Sequence, residues 1–223
     1  MIRSETLQLP ISYRYDLVVP DEPAPLLIAL HGYGQSKEVA LHFARNIQKH
    51  SQRTWTLAAL QAPHPHHIRK EEGLGAGFSW VSAYEPAEDV RNHHLFVSHV
   101  IEHAHKKGWT DRPSAFLFGF SQSESLNYRF AAARPEQVRG VVAVAGATPS
   151  DWVKRDVRLE PPVLHIAPTE DEAYPLRRAR DFKTQLDAKG DDVTWLELPG
   201  KHRVPSTAYP LVARWLEERL EQV

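Results

Sequence analysis

Three side-chain types suited to acyl transfer, a serine, a carboxylate and a histidine, each follow an apolar run of this chain. Ser121 comes directly after "AFLFGF", residues 115–120, and opens the stretch Ser121-Gln122-Ser123-Glu124-Ser125. Gly119-Phe120-Ser121 begins the pattern Gly-x-Ser-x-Gly, a sharp turn that strains the serine backbone and lifts its Oγ out of the sheet. Ser123 stands where that pattern has its second glycine. The same residues also spell a capping box, Ser121-x-x-Glu124, which would make this an ordinary helix start. Of the hydroxyls here only Ser121 follows the apolar run directly, so it is the candidate nucleophile.

A serine nucleophile requires a base, a group that orients the base, and donors for the developing oxyanion. The segment "PTEDEAYP" offers Glu170, Asp171 and Glu172 after the run "PPVLHIA", and "PGKHRVP" places His202 after "VTWLEL". After "PLLIAL" comes His31-Gly32-Tyr33-Gly34-Gln35, whose glycines let the backbone turn an N–H toward a reacting oxygen. Each signal has an ordinary explanation: a glycine turn, an acidic loop, a solvated histidine. Together they give serine, acid and histidine in that order at the carboxyl ends of successive strands, the order of a hydrolase fold.

The elements that must position these residues are legible as alternating patterns. "PLLIALH", "AFLFGF", "VRGVVAVAG" and "PPVLHIAP" are continuous apolar runs, as expected of parallel strands covered on both faces. "TWTLAAL" and "VTWLELP" are weaker strands of the same kind, and "ETLQLPISYRYDLVVP" alternates like antiparallel edge strands. Helical spacing links Val39, Phe43 and Ile47 behind Ser36 as a cap. It recurs through Val90, Val97, Ile101 and Ala104, ending at Lys106-Lys107-Gly108, through Leu176 to Leu186, stopping near Gly190, and through Tyr209 to Leu220. Strand and helix alternate, so the fold class is α/β: a doubly wound, mostly parallel sheet with helices on both faces. The segment "QAPHPHHIRKEEGLGAGFSW" reads as a long irregular loop.

The 223 residues suit a single domain over 1–223, and nothing in the composition marks a boundary. There is no cysteine, which excludes disulfides, thiolate zinc sites and a cysteine nucleophile. Basic and acidic side chains number 27 and 28 without a long run of either sign, which disfavours nucleic acid or an anionic membrane as partner. No apolar run approaches the ~18 residues of a membrane span, and the first fifteen residues lack a signal-peptide core, so a cytoplasmic protein is expected. The histidines at 64, 66 and 67 and at 93, 94, 99, 103 and 105 raise metal binding, with His99 and His103 on one helix face. Without an HExxH pattern a solvated histidine-rich face is the expectation, and no metal or other cofactor is expected.

The elements "LHGYG", "QAP", "GFSQS", "TEDEAYP" and "GKHRVP" resemble the phospholipase/carboxylesterase group of α/β-hydrolases, the relatives of bacterial esterases and acyl-protein thioesterases. The resemblance runs from about Leu26 to the terminal helix and implies a Ser-His-Asp esterase without a large cap domain. It selects Asp171, four residues before Pro175, as the acid, His202 as the base, and the backbone N–H groups of Tyr33 and Gln122 as oxyanion donors. It departs from the family at Ser123, at Ala167-Pro168 in place of His-Gly, and at Val81-Ser82 after the aromatic pair. Phe78 and Trp80, with Tyr84 beyond them, are expected to line a substrate pocket. The implied substrate is a small soluble ester or thioester, and a homodimer is left open. The rival readings are a serine peptidase or amidase of the same fold and a non-catalytic binding protein.

Overall fold

The computed structural model describes residues 11–70 and 73–221. Nine strands and five α-helices follow one another as β1 (Tyr15–Val18), β2 (Leu26–Leu30), α1 (Lys37–His50), β3 (Thr56–Leu60), β4 (His64–Lys70), β5 (Gly73–Ser79) and α2 (Pro86–Lys106). Then come β6 (Ala115–Phe120), α3 (Gln122–Ala133), β7 (Val138–Val144), β8 (Val163–Pro168), α4 (Leu176–Asp187), β9 (Val193–Leu198) and α5 (Ala208–Glu221). Seven strands form one sheet in the order β1-β3-β2-β6-β7-β8-β9. Among the described residues of this sheet only β1 runs antiparallel, pairing Tyr15 with Leu60 at the edge, as its alternating sequence predicts. The remainder of the alternating N-terminal segment, residues 1–10, lies outside the described residues.

The apolar runs without alternation are explained by burial on both faces. Leu26, Ile28 and Leu30 of β2 and Leu117 of β6 point into one layer, beneath α2 and α3. Leu27 and Ala29, with Phe116, Phe118 and Phe120, point into the other, beneath α1 and α5. Helices cover each layer with one apolar stripe: α1 buries Ala40, Phe43, Ala44 and Ile47. α2 opens on Pro86 with Glu88 and Asp89 in its first turn and closes with His103, His105 and Lys106 in its last. Gly108, at φ 72°, ends it, with the Trp109 amide bonded back to the Ala104 carbonyl at 3.0 Å.

The segment expected as an irregular loop is instead a two-stranded antiparallel hairpin, β4 against β5, pairing His64 with Ser79 and Ile68 with Gly75. Its open end is fixed to α2, where His64 Nε2 meets Asp89 Oδ1 at 2.7 Å. Among the described residues this hairpin, rather than a cap domain, is what projects from the sheet beside the strand ends.

Two of the histidine expectations need correction. His93 is 2 % exposed and His94 is partly buried, so α2 does not present all its histidines to solvent. His93 turns inward because its position continues the buried stripe of Phe96, Val97 and Val100. His99 and His103 share the outer face, but His103 Nδ1 is engaged by the Tyr15 hydroxyl at 2.8 Å. Among the described residues no cluster of three His, Asp or Glu side chains has metal-binding geometry. None of the described helices is long and apolar enough to cross a membrane.

Candidate active site

Parallel strands bring their carboxyl ends to one edge of the sheet, where helix-starting loops collect. Ser121 stands on the loop that leaves β6, the central strand, and has φ 56° and ψ −114°. A non-glycine residue at positive φ is strained, and the strain turns the side chain out at the top of the sheet. The capping-box alternative does not form: Ser121 makes no side-chain cap bond, and its own amide donates to Val144 O at 3.0 Å. The tight turn demands bare backbone nearby. A Cβ on Gly119 would lie 3.3 Å from the Glu124 amide and 2.8 Å from Asn127 Nδ2, and one on Gly32 would lie 2.8 Å from the Phe120 ring.

Ser123 fits where a glycine is usual because its hydroxyl is absorbed by the strand ends. It accepts from the Phe120 amide at 3.0 Å and lies within donating range of Leu30 O at 3.2 Å and Phe120 O at 3.1 Å. The side chain is fully buried and cannot meet a substrate.

Ser121 Oγ lies 3.0 Å from His202 Nε2. His202 Nδ1 in turn lies 2.9 Å from Asp171 Oδ2 and 3.1 Å from Oδ1. Donation from Nδ1 to the carboxylate leaves Nε2 the acceptor for the serine proton. The acid loop is held by its own backbone: Asp171 Oδ1 accepts from the amides of Ala173 at 2.8 Å and Tyr174 at 2.9 Å. Glu170 and Glu172 are exposed while Asp171 is 4 % exposed, so the middle of the three acidic residues alone faces the imidazole. The Glu172 carboxylate instead accepts from the His202 amide at 3.3 Å.

On the other side of Ser121 lies the loop after β2. Gln35 Oε1 accepts from the Gly32 amide at 2.9 Å, and the Gln35 amide donates to Gly32 O at 3.2 Å, closing the turn. His31 is fully buried; its Nε2 accepts from the Ala62 amide at 3.1 Å, so Nδ1 carries the proton and donates to Gly32 O at 2.8 Å. Burial lowers the His31 pKa to about 4, keeping this tautomer neutral and fixed. Because a trans peptide points its C=O and N–H oppositely, anchoring Gly32 O also aims the Tyr33 amide. Among the described residues neither the Tyr33 nor the Gln122 amide donates to another protein group. Both are thereby open to an incoming oxygen. Gln122 Oε1 accepts from the Trp80 amide and Nε2 donates to Ser79 Oγ, each at 2.9 Å, so the elbow is tied to the end of β5.

Of the expected pocket aromatics, Trp80 is not where a pocket would need it. Trp80 is 1 % exposed, lies in the core beneath α2, and donates from Nε1 to His31 O at 2.8 Å. Its indole supports the loop after β2 from below and cannot line an open site. Phe78 is half-buried against the same core, its carbonyl accepting from the Gly34 amide at 2.9 Å, while Tyr84 is 88 % exposed. The aromatic surface beside the open amides is Tyr33, 63 % exposed and stacked on His66 of the hairpin at 4.6 Å. A concavity of about 710 Å3, bordered by Arg53, Asp111, Arg112 and Arg139, lies at the opposite, amino ends of the strands.

Behind the elbow is a polar layer that the sequence does not announce. Glu124 is fully buried, its carboxyl pressed on Gly146 and 3.8 Å from His165 Nδ1, which shares a hydrogen bond of 2.8 Å with the Tyr128 hydroxyl. Burial first, and then the Asp171 charge, push the Glu124 carboxyl well above the usual carboxylate range. Burial likewise lowers His165 to about 3. His165 is therefore neutral at pH 7, and burial favours the neutral carboxyl of Glu124. An acidic residue in a helix's first turn normally reads as a solvated dipole partner, which hides this role in the sequence.

The model of the phospholipase/carboxylesterase family matches residues 18–218. Among curated protein sequences there is no match. Among solved structures, a carboxylesterase from Mesorhizobium loti superposes with a TM-score of 0.73 at 22 % identity, over 95 % of this chain and 98 % of that one. The Bacillus cereus carboxylesterase gives 0.70 at 15 % identity over 93 % and 94 %, and a monoacylglycerol lipase from Paleococcus ferrophilus 0.65 at 16 % over 94 % and 100 %. At such identities these likenesses establish the α/β-hydrolase fold, while the family model spans nearly the whole chain. The chain belongs to the phospholipase/carboxylesterase family of hydrolases.

Proposed function

We propose that the protein is a serine carboxylesterase acting on small soluble esters or thioesters through an acyl-enzyme, with Ser121 as nucleophile, His202 as base and Asp171 as orienter. The observation that carries this is the unbroken run of contacts from Ser121 Oγ to His202 Nε2, 3.0 Å, and from His202 Nδ1 to Asp171, 2.9 Å, on a serine at positive φ. His202 takes the serine proton as Oγ attacks the ester carbonyl, and the oxyanion moves between the amides of Tyr33 and Gln122. One such donor contributes about 3–4 kcal/mol to the transition state in comparable sites. The leaving oxygen then takes the proton from Nε2, and water releases the acyl group by the reverse sequence.

The scale of substrate follows from what surrounds the serine. The exposed Tyr33–His66 stack offers a small aromatic surface rather than a long apolar groove. A panel of short, medium and long acyl esters and thioesters tests the proposal, run with the parent and Ser121→Ala. Hydrolysis of short and medium chains with a drop of at least ~10³-fold in the variant is expected. Unchanged hydrolysis in Ser121→Ala, or none by the parent on any ester, contradicts it.

A further inference from the structure

Tyr174 has no part in the relay proposed above, yet three contacts hold it against that relay. Its amide donates to Asp171 Oδ1 at 2.9 Å, and Pro175 behind it restricts the backbone to extended conformations. Its ring packs edge-on against Phe182, with centroids 6.2 Å apart, and lies 5.8 Å from the His202 ring. The ring thereby stands beside the imidazole that holds Ser121 Oγ at 3.0 Å. The ring is thus fixed while the hydroxyl remains free to turn to a new acceptor.

The side from which it approaches defines what that acceptor is. The open amides of Tyr33 and Gln122 follow β2 and β6, whereas Tyr174 and Asp171 follow β8 and His202 follows β9, on the other half of the sheet. In the tetrahedral intermediate the oxyanion faces the amides, and the leaving oxygen faces His202 Nε2, which must protonate it. A phenol packed against that imidazole, on the side away from the amides, is next to that leaving oxygen. We infer that Tyr174 is a further catalytic residue, whose phenol donates a hydrogen bond to the departing alcohol oxygen and so fits the site to esters of ordinary aliphatic alcohols.

This rests on the Ser121 esterase reading. The bond from Ser121 Oγ to the carbonyl carbon forms as the serine proton moves to His202 Nε2. The bond from that carbon to the alcohol oxygen then breaks, its electron pair stays on oxygen, and the Nε2 proton follows. Tyr174 keeps its own proton throughout and lowers the cost of charge on the departing oxygen. Burial, with neighbouring negative charge adding and Arg178 opposing, holds the phenol above its ordinary pKa, so it stays a donor through neutral pH.

The test is the leaving-group dependence of kcat/KM in the parent and Tyr174→Phe, with one acyl group joined to ethyl, trifluoroethyl, phenyl and nitrophenyl leaving groups. Phenylalanine keeps the ring contacts and the backbone bond to Asp171. The expected loss is roughly 100-fold on the ethyl ester, shrinking to a few-fold on the nitrophenyl ester, whose anion leaves without help. An equal loss on all four, or no loss on any, overturns the assignment to Tyr174 while leaving the esterase reading intact. A parent inactive on all four overturns both.

Discussion

The Ser123 hydroxyl accepts a hydrogen bond from the Phe120 amide at 3.0 Å and stands within 3.2 Å of Leu30 O, bridging the ends of β6 and β2 where the main-chain ladder stops. Replacing it with alanine removes this bond to the Phe120 N–H, which costs about 0.5–1.5 kcal/mol. Ser123→Ala should therefore melt lower while hydrolysing esters within about tenfold of the parent, because the bridge supports the turn without meeting substrate. Ser123→Val should be worse in both respects, since a branched side chain in a fully buried position pushes α3 from the sheet and moves the Gln122 amide. Thermal melts and kcat for the two variants decide it; equal behaviour of valine and alanine would mean the close approach is unimportant.

Glu124 makes a prediction about pH and stability. Its carboxyl is held protonated in the folded chain well above its ordinary value of 4.5. Above that value the unfolded chain releases the proton while the folded chain keeps it, so the folded state binds more protons and stability falls as pH rises. Glu124→Gln removes this slope. Relative to the parent it should gain up to about 1.4 kcal/mol per pH unit above ~4.5, with the difference constant below ~pH 4. Urea unfolding of both proteins between pH 4 and 8 measures this, and parallel curves would show that Glu124 ionises freely.

His31 slopes the opposite way and also aims an amide. A histidine held neutral, with its pKa lowered to about 4, loses stability as pH falls from about 6.5 toward 4, because the unfolded chain takes up the proton first. Its two ring nitrogens have separable duties, at Gly32 O and at the Ala62 amide. Asparagine can imitate the first and glutamine the second. His31→Asn should keep kcat within about tenfold, whereas His31→Gln should lose on the order of 100-fold by freeing the Tyr33 peptide. The reverse ranking would remove the Gly32 contact from the account.

The acidic loop separates two adjacent residues. Asp171→Asn should lower kcat by about 10³–10⁴-fold, since the amide favours the wrong imidazole tautomer. Glu170→Gln should stay within a few-fold, its side chain being exposed while the Asp171 carboxylate holds His202 Nδ1. Steady-state kinetics of the pair suffice, and comparable losses would mean that the loop offers either carboxyl.

What could be read in the sequence divides along a physical line. Strands buried on both faces announce themselves because every position must be apolar, and that showed where Ser121 and Asp171 would emerge, while His202 follows the half-buried edge strand β9, a weaker signal. The β4–β5 hairpin did not, because its exposed and glycine-rich strands bury little and so carry no apolar period. Trp80 was misassigned for a related reason: an aromatic in a glycine-rich segment looks free to meet ligand, and only packing reveals the indole under α2. The choice of Asp171 among three acids came through family resemblance. Burial of Asp171 and exposure of its neighbours are tertiary facts, as are the burial of Glu124 and the packing of Tyr174 beside His202.

The most direct test of the central claim is the site of covalent labelling by a fluorophosphonate probe, mapped by peptide mass spectrometry. Such a probe phosphonylates a serine only where a base takes its proton and donors receive the oxyanion, so labelling reports the assembled site. The account predicts one adduct, on Ser121, lost in Ser121→Ala and strongly slowed in His202→Ala. An adduct on Ser123 or Ser125, or hydrolysis of esters by protein that the probe leaves unlabelled, would contradict it.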